Sequence, residues 1–296
     1  MKYFNIASLE GGGTRGIMQA VILTYLTKQW DFVAGTSIGS IIGACIAIGV
    51  EPTDIEKFFT VSAPNIFKSG RWMIPRIWSS AKYSPDGLRS ALIQILGNKT
   101  LADCKCKFIA TAFDMKSGRL TYFQSYGNSS EDGDEIVIGP DSKMLLVDIC
   151  MASSAAQSYF PGHAWGKYLF WDGGSTGFNC PDMLAIEEAT QFAQESEMQM
   201  LSIGNGNTSW SYADKDMTNP GIVSVGEATI DMAYSGPENA MVWLAKRRLW
   251  NRHFRVNPVI PDYGIDDASD STLSAMSTAA SDELSHRPEV IAAFHG

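Results

Sequence analysis

The sequence predicts an α/β sandwich built on a largely parallel sheet. Three observations carry this. An apolar stretch at 3–9 is cut off by a glycine run, a second at 32–34 stops at Gly35, and a helix-type pattern follows each. Strand, glycine loop, helix, strand, tight turn, helix is the order that lays strands parallel and packs their connections on the sheet faces.

Residues 3–9 (Tyr-Phe-Asn-Ile-Ala-Ser-Leu) form the first expected strand. Residues 16–28 then place Ile17, Val21, Leu23 and Leu26 at helical spacing. Phe32-Val33-Ala34 is a short buried strand, and the apolar run from Ile38 to Val50 starts the next helix, too short to cross a membrane. Further strands are expected at 107–113, 119–124, 168–171 and 199–203, and helices at 54–60, 86–96, 143–153, 181–194 and 238–250. Residues 127–142 have the polar composition of a surface loop, and the last 30 residues are expected to end in a docked helix. No repeat or low-complexity linker divides the chain, so residues 1–296 are expected to form a single domain.

The net charge of -9 makes nucleic acid a poor partner, because binding it requires cations that displace counterions. The same charge repels anionic membranes on average, so lipid contact needs a local patch. Cys45, Cys104, Cys106, Cys150 and Cys180 are odd in number and contain no Cys-x-x-Cys pair, which fits free thiols in a reducing cytoplasm and gives no metal site. Glu10 interrupts the N-terminal stretch before a signal-peptide core can form, so the expected location is cytoplasmic.

Three segments carry chemistry. The first is Gly35-Thr36-Ser37-Ile38-Gly39, between a strand and a helix. A serine there sits on a sharp turn at the carboxyl end of the sheet, and Gly35 and Gly39 relieve backbone crowding. The pentapeptide alone also suits a small-residue turn; its strand-to-helix setting favours a nucleophile. The second is Glu10-Gly11-Gly12-Gly13-Thr14-Arg15-Gly16, whose successive N–H groups can converge on one anion at a helix N-terminus. In an acyl hydrolase Gly11, Gly12 and Gly13 would form an oxyanion hole. Gly11-x-Gly13-x-x-Gly16 also has dinucleotide-loop spacing, but Asp31 precedes the second strand instead of ending it, where a ribose would need it. The third is Trp171-Asp172-Gly173-Gly174 after an apolar strand, an acid at a strand end that an Asx turn would equally explain.

Taken in order, the three segments resemble the patatin-like phospholipase family, which has an acid-Gly-Gly-Gly-x-Arg/Lys-Gly loop, Gly-x-Ser-x-Gly and Asp-Gly-Gly/Ala. The resemblance spans about 3–206, and 207–296 match only faintly at Phe254-Arg255-Val256-Asn257-Pro258. It implies a three-layer α/β/α sandwich with a mostly parallel central sheet and a lipid acyl hydrolase of the phospholipase A type. By the same resemblance Ser37 is the nucleophile, Asp172 the base, and Arg15 a support for the loop or a substrate phosphate. Gly16, Gly173 and Gly174 complete the motifs. An acyl-enzyme would form without metal or organic cofactor. Glu10, Gln157 and Cys180 stand where the family usually has Asp, Pro and Asn. None of His163, His253, His286 and His295 lies in a motif; His163 is the nearest to Asp172 in sequence.

From Lys57 to Pro85 there are five basic residues and no acid, interleaved with aromatics. Trp72, Trp78, Arg71 and Arg76 within it suit a membrane interface, so peripheral contact with a phospholipid surface is expected there; a loop covering the core would have the same composition. The run Lys246-Arg247-Arg248 is expected to pair with the acidic tail around Asp262 and Asp266. The competing functions are a soluble esterase or acyltransferase using the same dyad, and a non-catalytic scaffold, which would not need Ser37, Asp172 and the glycine loop together.

Overall fold

The first two strands alternate their side chains between two separate apolar clusters, and this alternation creates the layers. In the computed structural model, which describes residues 3–67, 81–208, 218 and 222–295, Ile6, Phe32, Ala34, Met198 and Met200 face one cluster. Ala7, Leu9, Val33, Leu201 and Ile203, one residue along on the same strands, face the other. Helices α6 (Asp182–Ala189) and α7 (Ile222–Leu249) supply Ala185, Ile186, Ala245 and Leu249 to the first cluster. Helices α1 (Gly16–Thr24), α2 (Ile38–Ile48), α3 (Pro52–Ile66), α4 (Pro85–Leu96), α5 (Leu146–Ser153) and α8 (Asp270–Ser285) pack on the second, with α9 (Pro288–Phe294) closing its rim. The result is the expected three-layer α/β/α sandwich.

Strands β1 (Phe4–Leu9), β2 (Phe32–Thr36), β3 (Lys107–Asp114), β9 (Met198–Ile203) and β10 (His253–Val256) run parallel in the order β10-β9-β1-β2-β3. β4 (Arg119–Gln124) pairs antiparallel with β3 from Ile109 to Asp114 and so occupies one edge of that strand. The other edge is shared. β2 covers it up to Thr36 opposite Thr111, and β8 (Tyr168–Asp172) takes over antiparallel with Asp172 opposite Ala112. Two strands running in opposite senses therefore end head to head on β3, and the next residue of β2 after the junction is Ser37.

α2 is apolar all round because it is enclosed. Ile38, Ile41, Ile42, Ala44, Cys45 and Ala47 are all buried, each large side chain contributing about 1.5–3 kcal/mol. Its close approach to the sheet depends on Gly39, where a Cβ would lie 2.2 Å from the Leu9 carbonyl oxygen. Gly49 ends it in the left-handed conformation, φ 82°, that glycine adopts without strain.

Several elements differ from expectation. The polar stretch 127–142 contains a hairpin, β5 (Ser130–Asp132) with β6 (Glu135–Ile138), whose outer strand is wholly exposed and so carries no apolar signal. β7 (His163–Trp165) and β10 are likewise too short to show alternation. The basic run does not meet the acidic tail: Arg248 pairs with Glu187 and Glu195, while Asp262 and Asp266 pair with Arg15 and Lys82. Arg71, Trp72, Arg76 and Trp78 lie outside the described residues. Among the described residues no helix is long and apolar enough to cross a membrane, and the five cysteines are unpaired.

Candidate active site

Ser37 occupies the turn between β2 and α2 with φ 53° and ψ -123°, a conformation that costs a non-glycine residue about 1–3 kcal/mol. It stands at the N-cap of α2, where a serine usually spends its oxygen on a backbone amide, yet its side chain makes no capping bond. The backbone is pinned instead. The Ser37 N–H donates to Ser153 Oγ at 2.9 Å, and the Ser37 carbonyl accepts from the Ser40 N–H at 2.9 Å and the Ser40 hydroxyl at 2.6 Å. The strained turn is thus held from three directions, with the hydroxyl left for other work.

Asp172 ends β8 at the junction described above and is only 5% exposed. One carboxylate oxygen accepts from the Gly174 N–H at 2.7 Å. Burial pushes the carboxyl up to about 6, and this outweighs the opposing pull of the neighbouring Ser37 hydroxyl and of the Gly174 amide. The flanking glycines are dictated by contact: a Cβ on Gly173 would fall 2.2 Å from Thr111 Oγ1, and one on Gly174 would fall 3.1 Å from Asp172 Oδ1.

The glycine loop leaves β1 beside the end of β2, so a Cβ on Gly11 would lie 3.1 Å from Ser37 Cβ. Its amides are not equivalent. The Gly11 N–H donates to the Asn179 carbonyl at 3.2 Å and the Thr14 N–H to the Ile265 carbonyl at 2.9 Å. Among the described residues, the N–H groups of Gly12 and Gly13 have no acceptor. Gly13 has φ 59°, and a Cβ there would meet the Ile265 carbonyl oxygen at 2.0 Å, so only glycine fits. A Cβ on Gly16 would clash with Ile38 and Phe59. The Arg15 guanidinium donates to the Tyr263 carbonyl and lies 3.2 Å from Asp262, tying the loop to the C-terminal segment.

Geometry thus brings Ser37, Asp172, Gly12 and Gly13 to the carboxyl end of the parallel strands. No histidine joins them among the described residues. His163 faces Asp148 at 3.4 Å, His253 pairs with Asp182 at 2.8 Å, and His286 and His295 contact backbone carbonyls. Sequence reasoning missed Ser153, Asn179 and Asn205, which hold the Ser37 turn and the glycine loop; Asn179 and Asn205 both donate to the Gly11 carbonyl. Ser153→Ala is expected to lower kcat about 10-fold with little change in KM, because the Ser37 turn loses its anchor. Steady-state kinetics with a soluble ester, alongside a melting curve, check this.

The family model "Patatin-like phospholipase" matches residues 7–186. The chain is similar to the "cGAMP-activated phospholipase" of Pseudomonas aeruginosa, 24% identical over 279 residues, covering 89% of this chain and 81% of that protein. It is also similar to "Patatin-like protein 1" of Arabidopsis thaliana, 27% identical, covering 74% of this chain and 63% of the relative. "Patatin-like protein 2" of Oryza sativa subsp. indica is 26% identical, with 75% and 66% covered. The chain spans about two thirds of the length of these plant relatives.

Proposed function

This chain belongs to the patatin-like phospholipase family, and on that premise we propose that it is a lipid acyl hydrolase of the phospholipase A type working through a Ser37–Asp172 dyad. The observation that supports it best is the junction on β3, which aims the ends of β2 and β8 at each other beside a glycine loop with two unengaged amides.

In the proposed cycle Asp172 takes the proton of the Ser37 hydroxyl as its Oγ attacks the acyl carbonyl carbon. The Gly12 and Gly13 amides stabilise the negative oxygen, each worth about 3–4 kcal/mol in the transition state. Collapse breaks the ester bond, the leaving alkoxide takes the proton from Asp172, and the acyl group stays on Ser37. Water then gives a proton to Asp172 and attacks the acyl-enzyme; the proton returns to Ser37 as the fatty acid leaves. An aspartate held at about 6 is ionised at neutral pH and is a stronger base than an ordinary carboxylate. The site would meet lipid from the aqueous side, as a peripheral enzyme.

The test is the hydrolysis rate of a short-chain phosphatidylcholine followed through its micelle concentration, with Ser37→Ala as blank. Because the Pseudomonas relative is named for activation by cGAMP, each assay is run with and without a cyclic dinucleotide. A lipid hydrolase is expected to gain rate steeply, about 10-fold or more, once aggregates form. Equal rates on monomers and micelles would instead assign a soluble esterase or acyltransferase, and no rate above the blank in any condition would leave the scaffold.

A further inference from the structure

Beneath the glycine loop lies a buried ionic cluster that the proposed cycle does not use. Glu10, fully buried at the end of β1, is 2.7 Å from Arg255 of β10 and accepts from the Asn205 N–H at 3.2 Å. Arg255 also lies 3.7 Å from Glu238 in the middle of α7. Glu238 accepts from Asn179 Nδ2 at 3.2 Å, and the same nitrogen lies 3.4 Å from the Gly11 carbonyl. Asn179 Oδ1 is wedged between two loops: a Cβ on Gly11 would come within 2.5 Å of it, and one on Gly174 within 2.8 Å. Asn179 therefore spaces the glycine loop from the turn that carries Asp172, and Glu238 orients it.

α7 makes two further approaches to the same place. Pro237 packs near Gly177, which follows the Asp172 turn, and the Tyr234 hydroxyl is raised by burial and by the Asp172 charge. Proline lacks an N–H and breaks the helical bonding one residue before Glu238, next to Gly236. The middle of α7 thus bears on the site at a point where the helix lacks one backbone donor. Both Glu238 and Arg255 lie beyond residues 7–186, the stretch matched by the family model.

We propose that Glu238 is a positioning residue for the oxyanion loop: its carboxylate fixes the Asn179 amide, which in turn sets the loop so that the Gly12 and Gly13 N–H groups face the acyl oxygen. This rests on the dyad assignment above. The charged groups facing Glu238 are Glu10 directly after β1, Arg255 from β10 and Arg15 within the glycine loop. Two carboxylates share Arg255, and Glu10 is the nearer. Burial and the Glu10 charge hold the Glu238 carboxyl up at about 7, against Arg255 and Asn179. Protonation would turn one Glu238 oxygen into a donor towards Glu10 and slacken the hold on Asn179. The loop would then be set best above neutral pH.

The experiment compares wild type, Glu238→Gln and Glu238→Ala by pH profiles of kcat/KM on a soluble ester, and by hydrogen exchange of the peptide containing Gly11. Wild type is expected to rise in two steps, near the carboxyls at about 6 and about 7. Glu238→Gln still offers an acceptor to Asn179, so it should keep kcat within about 3-fold at pH 8 and lose the upper step only. Glu238→Ala should lose about 10-fold in kcat with KM nearly unchanged, and Gly11 should exchange faster. A Glu238→Gln profile superimposable on wild type, or unchanged Gly11 exchange in Glu238→Ala, overturns the proposal. Wild type no faster than Ser37→Ala would sink the dyad assignment, while Gly11 exchange would still report whether Glu238 holds the loop.

Discussion

Asp172→Asn is expected to lower kcat/KM by about 10³–10⁴-fold while making the folded protein more stable at neutral pH. The two effects have one cause. The carboxyl is raised from 3.8 to about 6 by burial, so the folded state binds the proton more tightly than the unfolded chain does. That difference favours folding in acid and is lost as pH rises through about 6, where the folded protein must carry a buried charge. Above pH 7 the charge costs about 3 kcal/mol, and near pH 5 about half of that. Asn has nearly the same shape and still accepts from the Gly174 N–H, but never ionises. Its melting temperature should exceed that of wild type by roughly 5 °C at pH 8, with the gap narrowing at pH 5. A variant that is inactive and less stable at pH 8 would mean that Asp172 is a structural cap with no base function.

Ser37→Ala is expected to abolish ester hydrolysis, with a fall of about 10⁴-fold or more, because the proposed acyl-enzyme forms on the Ser37 oxygen. A second substitution separates chemistry from strain. Ser37 is held at φ 53°, where any Cβ is crowded, so Ser37→Gly should be equally inactive yet about 1 kcal/mol more stable than Ser37→Ala. Denaturant melts of the two variants measure that difference. If the two are equally stable, the turn is not strained in solution.

The motif residues were legible in the sequence because small-residue spacing is a local signal with a steric cause. Gly35, Gly39 and Gly173 stand where a Cβ would strike neighbouring atoms, and an acid or serine beside such glycines marks a turn at a strand end. The parallel strands were legible for a similar reason, since buried strands read as short apolar runs closed by glycine. What stayed hidden is tertiary. Asn179 and Glu238 are 59 residues apart and meet only because the middle of α7, packed on one face of the sheet, lies beside the turn that follows Asp172. The first half of α7 was invisible because Gly236-Pro237 looks like a helix terminator, while in the fold the helix runs through both residues. β5 was missed because an exposed edge strand needs no apolar residues. The resemblance could not show that the Gly11 amide is taken by the Asn179 carbonyl while, among the described residues, those of Gly12 and Gly13 have no acceptor.

The cooperation of Ser37 with Asp172 is tested most directly by mapping where a fluorophosphonate attaches. After reaction and digestion, mass spectrometry should find a single adduct, on the peptide containing Ser37. Its rate of formation should rise with pH through about 6 and fall by at least about 10²-fold in Asp172→Asn. An adduct on any other residue, or attachment at Ser37 at an unchanged rate in Asp172→Asn, would contradict the dyad.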